Sequence, residues 1–371
     1  MLHLNKKLQW ALAALLTLNL QFYARTASAN LSIPPAQIEE PEIAFPLYLP
    51  VVRNPGPRQV LLGVYTDGYL GVQSTIDDEV KAIDTWSGKR LTLVGTFIGF
   101  EDSNSNYNIA VPQGLLWDSG YTPFVNIPTT RSLQYINSGS MDDAIRRMAR
   151  AFKLWRDEGL TKGQNRKAFV APFPEMNGDW VSYYGTPANF KSAFQRVRDL
   201  FNQEGAAPAV RWVFAPNGWS TSQDTPFEQY YPGDANVEVV AFSAYNFGHC
   251  PAVQWKEWKS AAEVYTSYIS RMRAMASSKP IFIVQTATTA YTSGGFNIQA
   301  KNQWLSDAYS LMALSPGVSG VIYFNLGEGQ ECDWAFYQLG GRKFDGYRQG
   351  VNRSEFIYLP SEVLANMVLA P

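Results

Sequence analysis

The sequence predicts an α/β fold, specifically a single (β/α)8 barrel. Three observations lead there: eight short apolar runs, helical patterns between several of them, and polar residues at nearly every run's end. The runs are VLLGVYTDG (60–68), RLTLVGTFIGF (90–100), YTPFVNIPTT (121–130), KAFVAPFPE (167–175), AVRWVFAPNGWS (209–220), VEVVAFSAYNFG (237–248), PIFIVQTATT (280–289) and GVIYFNLGE (320–328). Strands this continuously apolar are buried on both faces, as parallel strands covered by helices are. Helices are expected over 142–157, 187–203, 261–276 and 299–314. In the first, Ile145, Met148, Ala149, Phe152 and Trp155 fall on one face, and Ser140 is its expected cap. Eight strands with helical crossovers over roughly 300 residues fit a barrel. A doubly wound open sheet would need a phosphate loop of the form GxGxxG or GxxxxGK[ST] after a strand, and neither pattern occurs.

The flanking segments read differently. Residues 1–29 carry Lys6 and Lys7, an apolar run from Leu8 to Leu20 and then Ala27-Ser28-Ala29. That is the order of a cleaved signal peptide, and the run is short for a membrane span of about 20 residues. The expectation is a secreted or periplasmic protein with no membrane span after cleavage. Residues 30–58 hold Pro34, Pro35, Pro41, Pro46, Pro50, Pro55 and Pro57, which favours an extended linker or strap. Residues 59–371 then form the barrel domain.

Composition excludes several functions. With 31 basic and 32 acidic side chains the chain lacks the basic footprint of a nucleic-acid binder. Past residue 29 the single histidine is His249, so a His-rich metal site is excluded. A triad on His249 would lack the GxSxG elbow. No metal or cofactor is implied. Cys250 and Cys332 are permitted a disulfide by export, with two buried thiols as the alternative. Aromatic residues make up 14% of the chain against 17% charged, a balance suited to a partner with apolar faces and many hydroxyls.

In a barrel the chemistry gathers where strands end. Those ends supply Asp67, Glu101, Asp102, Asn126, Glu175, Asn217, Trp219, Tyr245, Asn246, Gln285, Asn325 and Glu328. Carboxylates and amides address hydroxyls, while Trp180, Trp219 and Trp334 offer faces on which pyranose rings could stack. Such a set suits a sugar better than a phosphate or a metal.

These residues resemble glycoside hydrolase family 26, the β-mannanase-type enzymes of the retaining barrel clan. The resemblance runs from Gln59 to about Arg348. It rests on PEMNGDW (174–180), FAPNGWS (214–220), YYPGDANVEVVAFSAYN (230–246), KPIFIVQTATT (279–289) and a closing FN…DW element with Asn325 and Trp334. It implies a β-linked polysaccharide partner such as mannan, Glu175 as acid/base, and Asn177, Trp180, Asn217, Trp219, Tyr245, Asn325 and Trp334 as substrate-binding residues. Retaining hydrolysis needs two carboxylates about 5–5.5 Å apart. The strand pattern puts Phe169, Ala171, Phe173 and Glu175 on one face, and Ile281, Ile283 and Gln285 on another.

Two positions depart from the family. Gln285 stands where the resemblance implies the nucleophilic glutamate, and Pro174 where it implies a histidine before the acid/base. An amide has the shape of the carboxylate and none of its nucleophilicity. Three readings follow. The chain is a secreted glycan-binding protein with impaired hydrolysis, or a working hydrolase whose second carboxylate has moved to Glu101, Asp102, Glu328 or Glu331, or a non-enzymatic adhesion or structural barrel.

Overall fold

The structure is a computed structural model that describes residues 58–66, 73–327 and 332–371, with backbone alone over 73–77. The expected signal peptide, nearly all of the Pro-rich segment, Asp67, Glu328 and Glu331 lie outside the described residues.

Eight parallel strands form a closed barrel: β1 (Val60–Thr66), β2 (Leu93–Phe97), β3 (Thr122–Ile127), β4 (Ala168–Pro172), β5 (Val210–Phe214), β6 (Val239–Asn246), β7 (Ile281–Thr288) and β8 (Val318–Asn325). Each pairs with the next, and β8 closes on β1 from Leu61↔Gly320 to Thr66↔Asn325. The two-residue strand Phe356–Ile357 pairs with the start of β1. Valine, isoleucine and phenylalanine dominate these strands, and almost every strand residue is buried. Side chains fill the barrel inside and helices cover it outside, so neither face meets water.

The covering helices are α1 (Gln73–Ser87), α2 (Ser105–Asp118), α3 (Leu133–Asn137), α4 (Asp142–Thr161), α5 (Pro187–Gln203), α6 (Ala261–Met275) and α7 (Ile298–Leu314). In α4 the stripe Ile145, Met148, Ala149, Phe152 and Trp155 is buried as its spacing predicts. Its entry differs from expectation. Met141 occupies the cap position without a side-chain capping bond, and Ser140 shares a 2.8 Å hydrogen bond with Ser138 instead. Asp142 and Asp143 in the first turn place negative charge where the helix dipole favours it. The other starts are conventional. Thr186 caps α5 with Pro187 in the first turn, Ser260 and Glu263 form a capping box on α6, and Asn297 caps α7.

Two features set the geometry of the barrel's C-terminal mouth. Across from β8, Val284 pairs with Ile322 but Thr286 pairs with Tyr323, so Gln285 is the extra residue of a β-bulge. The same slip appears against β6, between Phe242↔Ile283 and Ala244↔Thr286. A disulfide joins Cys250 in the loop after β6 to Cys332 in the loop after β8. Beneath the second loop lies fully buried Lys301, whose ammonium donates to the carbonyls of Asp333, Trp334 (3.1 Å) and Ala335 (2.9 Å) and pairs with the Asp333 carboxylate at 3.6 Å. Burial pushes that ammonium down to about 7, with Asp333 opposing the shift.

Candidate functional site

Glu175 sits three residues past the end of β4. Extended backbone stops at Pro172, and Phe173 and Glu175 both adopt positive φ (55° and 59°). The alternation expected through Phe173 and Glu175 therefore fails, because the chain leaves the strand through a turn. The Glu175 amide is fixed by a 2.8 Å bond to the Ala215 carbonyl. Its carboxylate accepts from three side chains: Trp180 Nε1 on Oε2 (2.8 Å), Asn217 Nδ2 on Oε1 (3.0 Å) and the Ser243 hydroxyl on Oε1. Only 8% of Glu175 is exposed.

Gln285, equally 8% exposed, has φ of 58° at the bulge of β7. Its Nε2 donates to Asn126 Oδ1 on β3 (3.3 Å), and Asn126 Nδ2 donates to the Tyr65 hydroxyl on β1 (2.7 Å). Burial pushes the Tyr65 phenol above its ordinary range, and the Glu175 charge adds to the shift. Tyr245 is raised for the same two reasons in the same order. Both phenols thus stay protonated and lie within the field of Glu175, so β1, β4 and β6 converge on one polar mouth, to which the Asn126 bridge joins β7.

Aromatic rings flank this centre. Trp180 and Trp219 stack at 6.0 Å between centroids and 17° between planes, with Trp219 44% exposed. On the other side Tyr245, Phe247 and Trp334 pack together at 5.2–5.7 Å. Trp334, expected as a stacking face, is 6% exposed and backs Tyr245.

Two of the expected binding amides brace the scaffold. Buried Asn177 donates to the carbonyls of Asn217 (2.7 Å) and Trp219 (3.1 Å) and to Ser220 Oγ, and accepts from the Asn217 amide. It thereby fixes the loop that carries Asn217 and Trp219. Asn325 donates to the Tyr337 carbonyl and accepts from the amides of Phe336 and Tyr337, which anchors the loop after β8. Ser243 and Tyr65 were missed in the sequence. Ser243 lies two residues before Tyr245, so strand alternation was the available signal, but a small hydroxyl inside an apolar run draws no notice.

The alternative carboxylates within the described residues have local duties. Glu101 Oε1 accepts from Thr129 Oγ1 (2.5 Å), the Thr130 amide (2.9 Å) and Thr130 Oγ1 (3.0 Å), which ties the β2 and β3 loops together. Asp102 accepts from the Asn104 amide (2.9 Å) and from Asn108 Nδ2 at the start of α2. His249 lies on the β6 loop, where its backbone amide bonds the Tyr291 carbonyl (2.8 Å). Among the described residues no group of three or more His, Cys, Asp or Glu could hold a metal ion, and no helix is long and apolar enough to cross a membrane.

A parallel barrel whose polar centre gathers where its strands end has the architecture of the (β/α)8 enzymes. Solved structures of family 26 mannanases share this fold. The catalytic domain of an endo-β-1,4-mannanase from Bacillus sp. JAMB-750, of family 26, superposes with a TM-score of 0.63 over 84% of this chain and 90% of that one, at 14% identity. A modular endo-β-1,4-mannanase from Cellulomonas fimi gives a TM-score of 0.58 over 84% of this chain and 75% of its own, at 13% identity. In sequence, Endoglucanase H of Acetivibrio thermocellus is 26% identical over 295 residues, 74% of this chain. The aligned segment spans only 29% of that relative's length. No protein-family model matches the chain.

Proposed function

We propose that this chain is a secreted or periplasmic protein that binds a β-linked polysaccharide such as mannan in the barrel mouth, and that its retaining hydrolysis is impaired. The observation that carries the reading is an asymmetry between two strand ends. Glu175 at the end of β4 is an ordered carboxylate held by three donors. Gln285 on β7, aligned by the family resemblance with the nucleophile, offers an amide. The exposed Trp219 face beside Glu175 suits the apolar side of a pyranose ring. The likeness to mannanases in fold and to an endoglucanase in sequence supports a β-glycan ligand. A disulfide beside the mouth fits an oxidising compartment.

Chemically, Glu175 remains able to exchange a proton with a glycosidic oxygen, but no covalent glycosyl intermediate can form on a carboxamide. Loss of a catalytic nucleophile lowers kcat by roughly 10⁴–10⁶. Moving the reaction onto another carboxylate finds no support in Glu101 or Asp102, which are engaged in loop hydrogen bonds.

The test measures retention on mannan, xylan and mixed-linkage β-glucan by affinity electrophoresis, together with reducing-sugar release. Retention by at least one glycan with turnover far below the usual range of about 1–10³ s⁻¹ is the expected outcome. Turnover within that range would refute the impairment. Failure to bind any of the three would refute the glycan reading.

A further inference from the structure

The orientation of the Gln285 carboxamide is fixed from behind by a chain of one-way hydrogen bonds. A backbone carbonyl can only accept, so the contact between Asn126 and the Thr96 carbonyl (3.4 Å) must be made by Nδ2, which also donates to Tyr65 (2.7 Å). The Asn126 oxygen is thereby turned towards Gln285. Since that oxygen can only accept, Gln285 must present its nitrogen, at 3.3 Å. Asn126 is wholly buried, so water cannot relax this order.

It follows that the Gln285 carbonyl oxygen points away from Asn126. Among the described residues no hydrogen bond reaches it, and Gln285, at the bulge in the C-terminal half of β7, retains 8% of its surface. A carboxylate in this place would set an acceptor against the Asn126 oxygen in a nearly dry site. Turning Asn126 over would relieve this only by giving up its bond to the Thr96 carbonyl. The surroundings are matched to an amide and mismatched to an ionised acid.

We infer that Gln285 is a ligand-binding residue, its carbonyl oxygen accepting a hydrogen bond from a hydroxyl of a β-linked sugar, with Asn126 as the positioning residue that sets the amide this way round. The inference rests on the glycan reading for its ligand, while the amide orientation stands apart from it, and the two are tested by separate arms.

The first arm uses no ligand. The new carboxyl in Gln285→Glu is titrated by carbon-13 NMR, alone and combined with Asn126→Ala. Its midpoint should lie at least about one unit above an ordinary glutamate, a tenfold change in proton affinity. Removing the Asn126 oxygen should bring it down. The Glu175 charge and burial also raise the midpoint, but they are common to both variants, so the difference isolates Asn126. An ordinary midpoint in Gln285→Glu, or no difference between the two, overturns the orientation.

The second arm measures binding of manno- and cello-oligosaccharides by calorimetry to the natural chain, Gln285→Met, Asn126→Ala and the double variant. Methionine keeps the length without the acceptor. We expect Gln285→Met to bind about tenfold more weakly, the scale of one hydrogen bond. Asn126→Ala should lose a similar factor, and the double variant no more than the larger single loss. A merely structural Asn126 would give multiplied losses in this cycle. Equal affinity in Gln285→Met overturns the binding role. Absence of binding by the natural chain removes the sugar as ligand, while the first arm still decides the orientation.

Discussion

Opening the Cys250–Cys332 link should cost this barrel a large part of its stability. The two residues are 82 apart in sequence, and the closed segment holds α6, β7, α7 and β8. Loop-closure theory assigns the unfolded chain an entropy loss of about 15 cal/mol/K for a loop of this length, or about 4.5 kcal/mol at 25 °C. Net stabilities of folded domains are only about 5–15 kcal/mol. The variants are Cys250→Ala, Cys332→Ala and the pair. Urea unfolding followed by far-ultraviolet dichroism and tryptophan fluorescence reads the change. Any one substitution opens the same loop, so single and double variants should lose nearly the same amount. An unchanged urea midpoint in all three would refute the reasoning. A double variant twice as destabilised as each single would show that lost packing of two buried sulfurs dominates.

Three further outcomes follow from the geometry. Trp219→Ala removes a ring that is 44% exposed, so the melting temperature should barely move while glycan affinity falls about tenfold or more, as calorimetry would show. Lys301→Met keeps the length but strips three carbonyls and Asp333 of their buried partner, and should lower stability by about 3–5 kcal/mol in denaturant unfolding. Alkali should unfold the protein through its buried phenols. Burial raises Tyr65, Tyr183, Tyr245, Tyr265, Tyr309, Tyr323 and Tyr347 above the unfolded value near 10. In the unfolded chain these protons leave first, so stability is full below about pH 10 and falls as pH rises beyond it. The part of the phenolate absorbance that belongs to these seven should therefore appear only together with loss of dichroism. Ionisation of all the tyrosines well before unfolding would contradict the burial.

The barrel was legible because its strands are apolar on both faces and its polar residues cluster at their ends. Both patterns follow from parallel pairing under a helical coat. Helices α1 and α2 were not anticipated. The sequence of α1 does carry Ile76, Val80 and Ile83 at helical spacing, but these three stand among mostly polar residues, while α2 carries Pro112 in its interior and lacks a clean apolar stripe. Strand alternation carried the reading as far as Pro172 and Val284 and failed beyond. Positive φ at Phe173 and Glu175 and the bulge at Gln285 re-aim the side chains there, and single-sequence periodicity cannot register a bulge. The resemblance singled out Asn177 and Asn325 but not their hydrogen-bond partners. Those partners are mostly backbone groups, brought close only by folding.

The left-handed backbone at positions 175 and 285 has a consequence for how far this protein could be stabilised. A side chain in that region costs about 1–3 kcal/mol, which glycine would largely avoid. Backbone ease alone would favour glycine at both places. This chain holds a carboxylate and an amide there, and each offsets the backbone strain with buried hydrogen bonds to Trp180, Asn217 and Ser243 at one position and to Asn126 at the other. Glycine at either position would relieve the strain and strand those buried partners, so the tense backbone and the polar cluster hold each other in place.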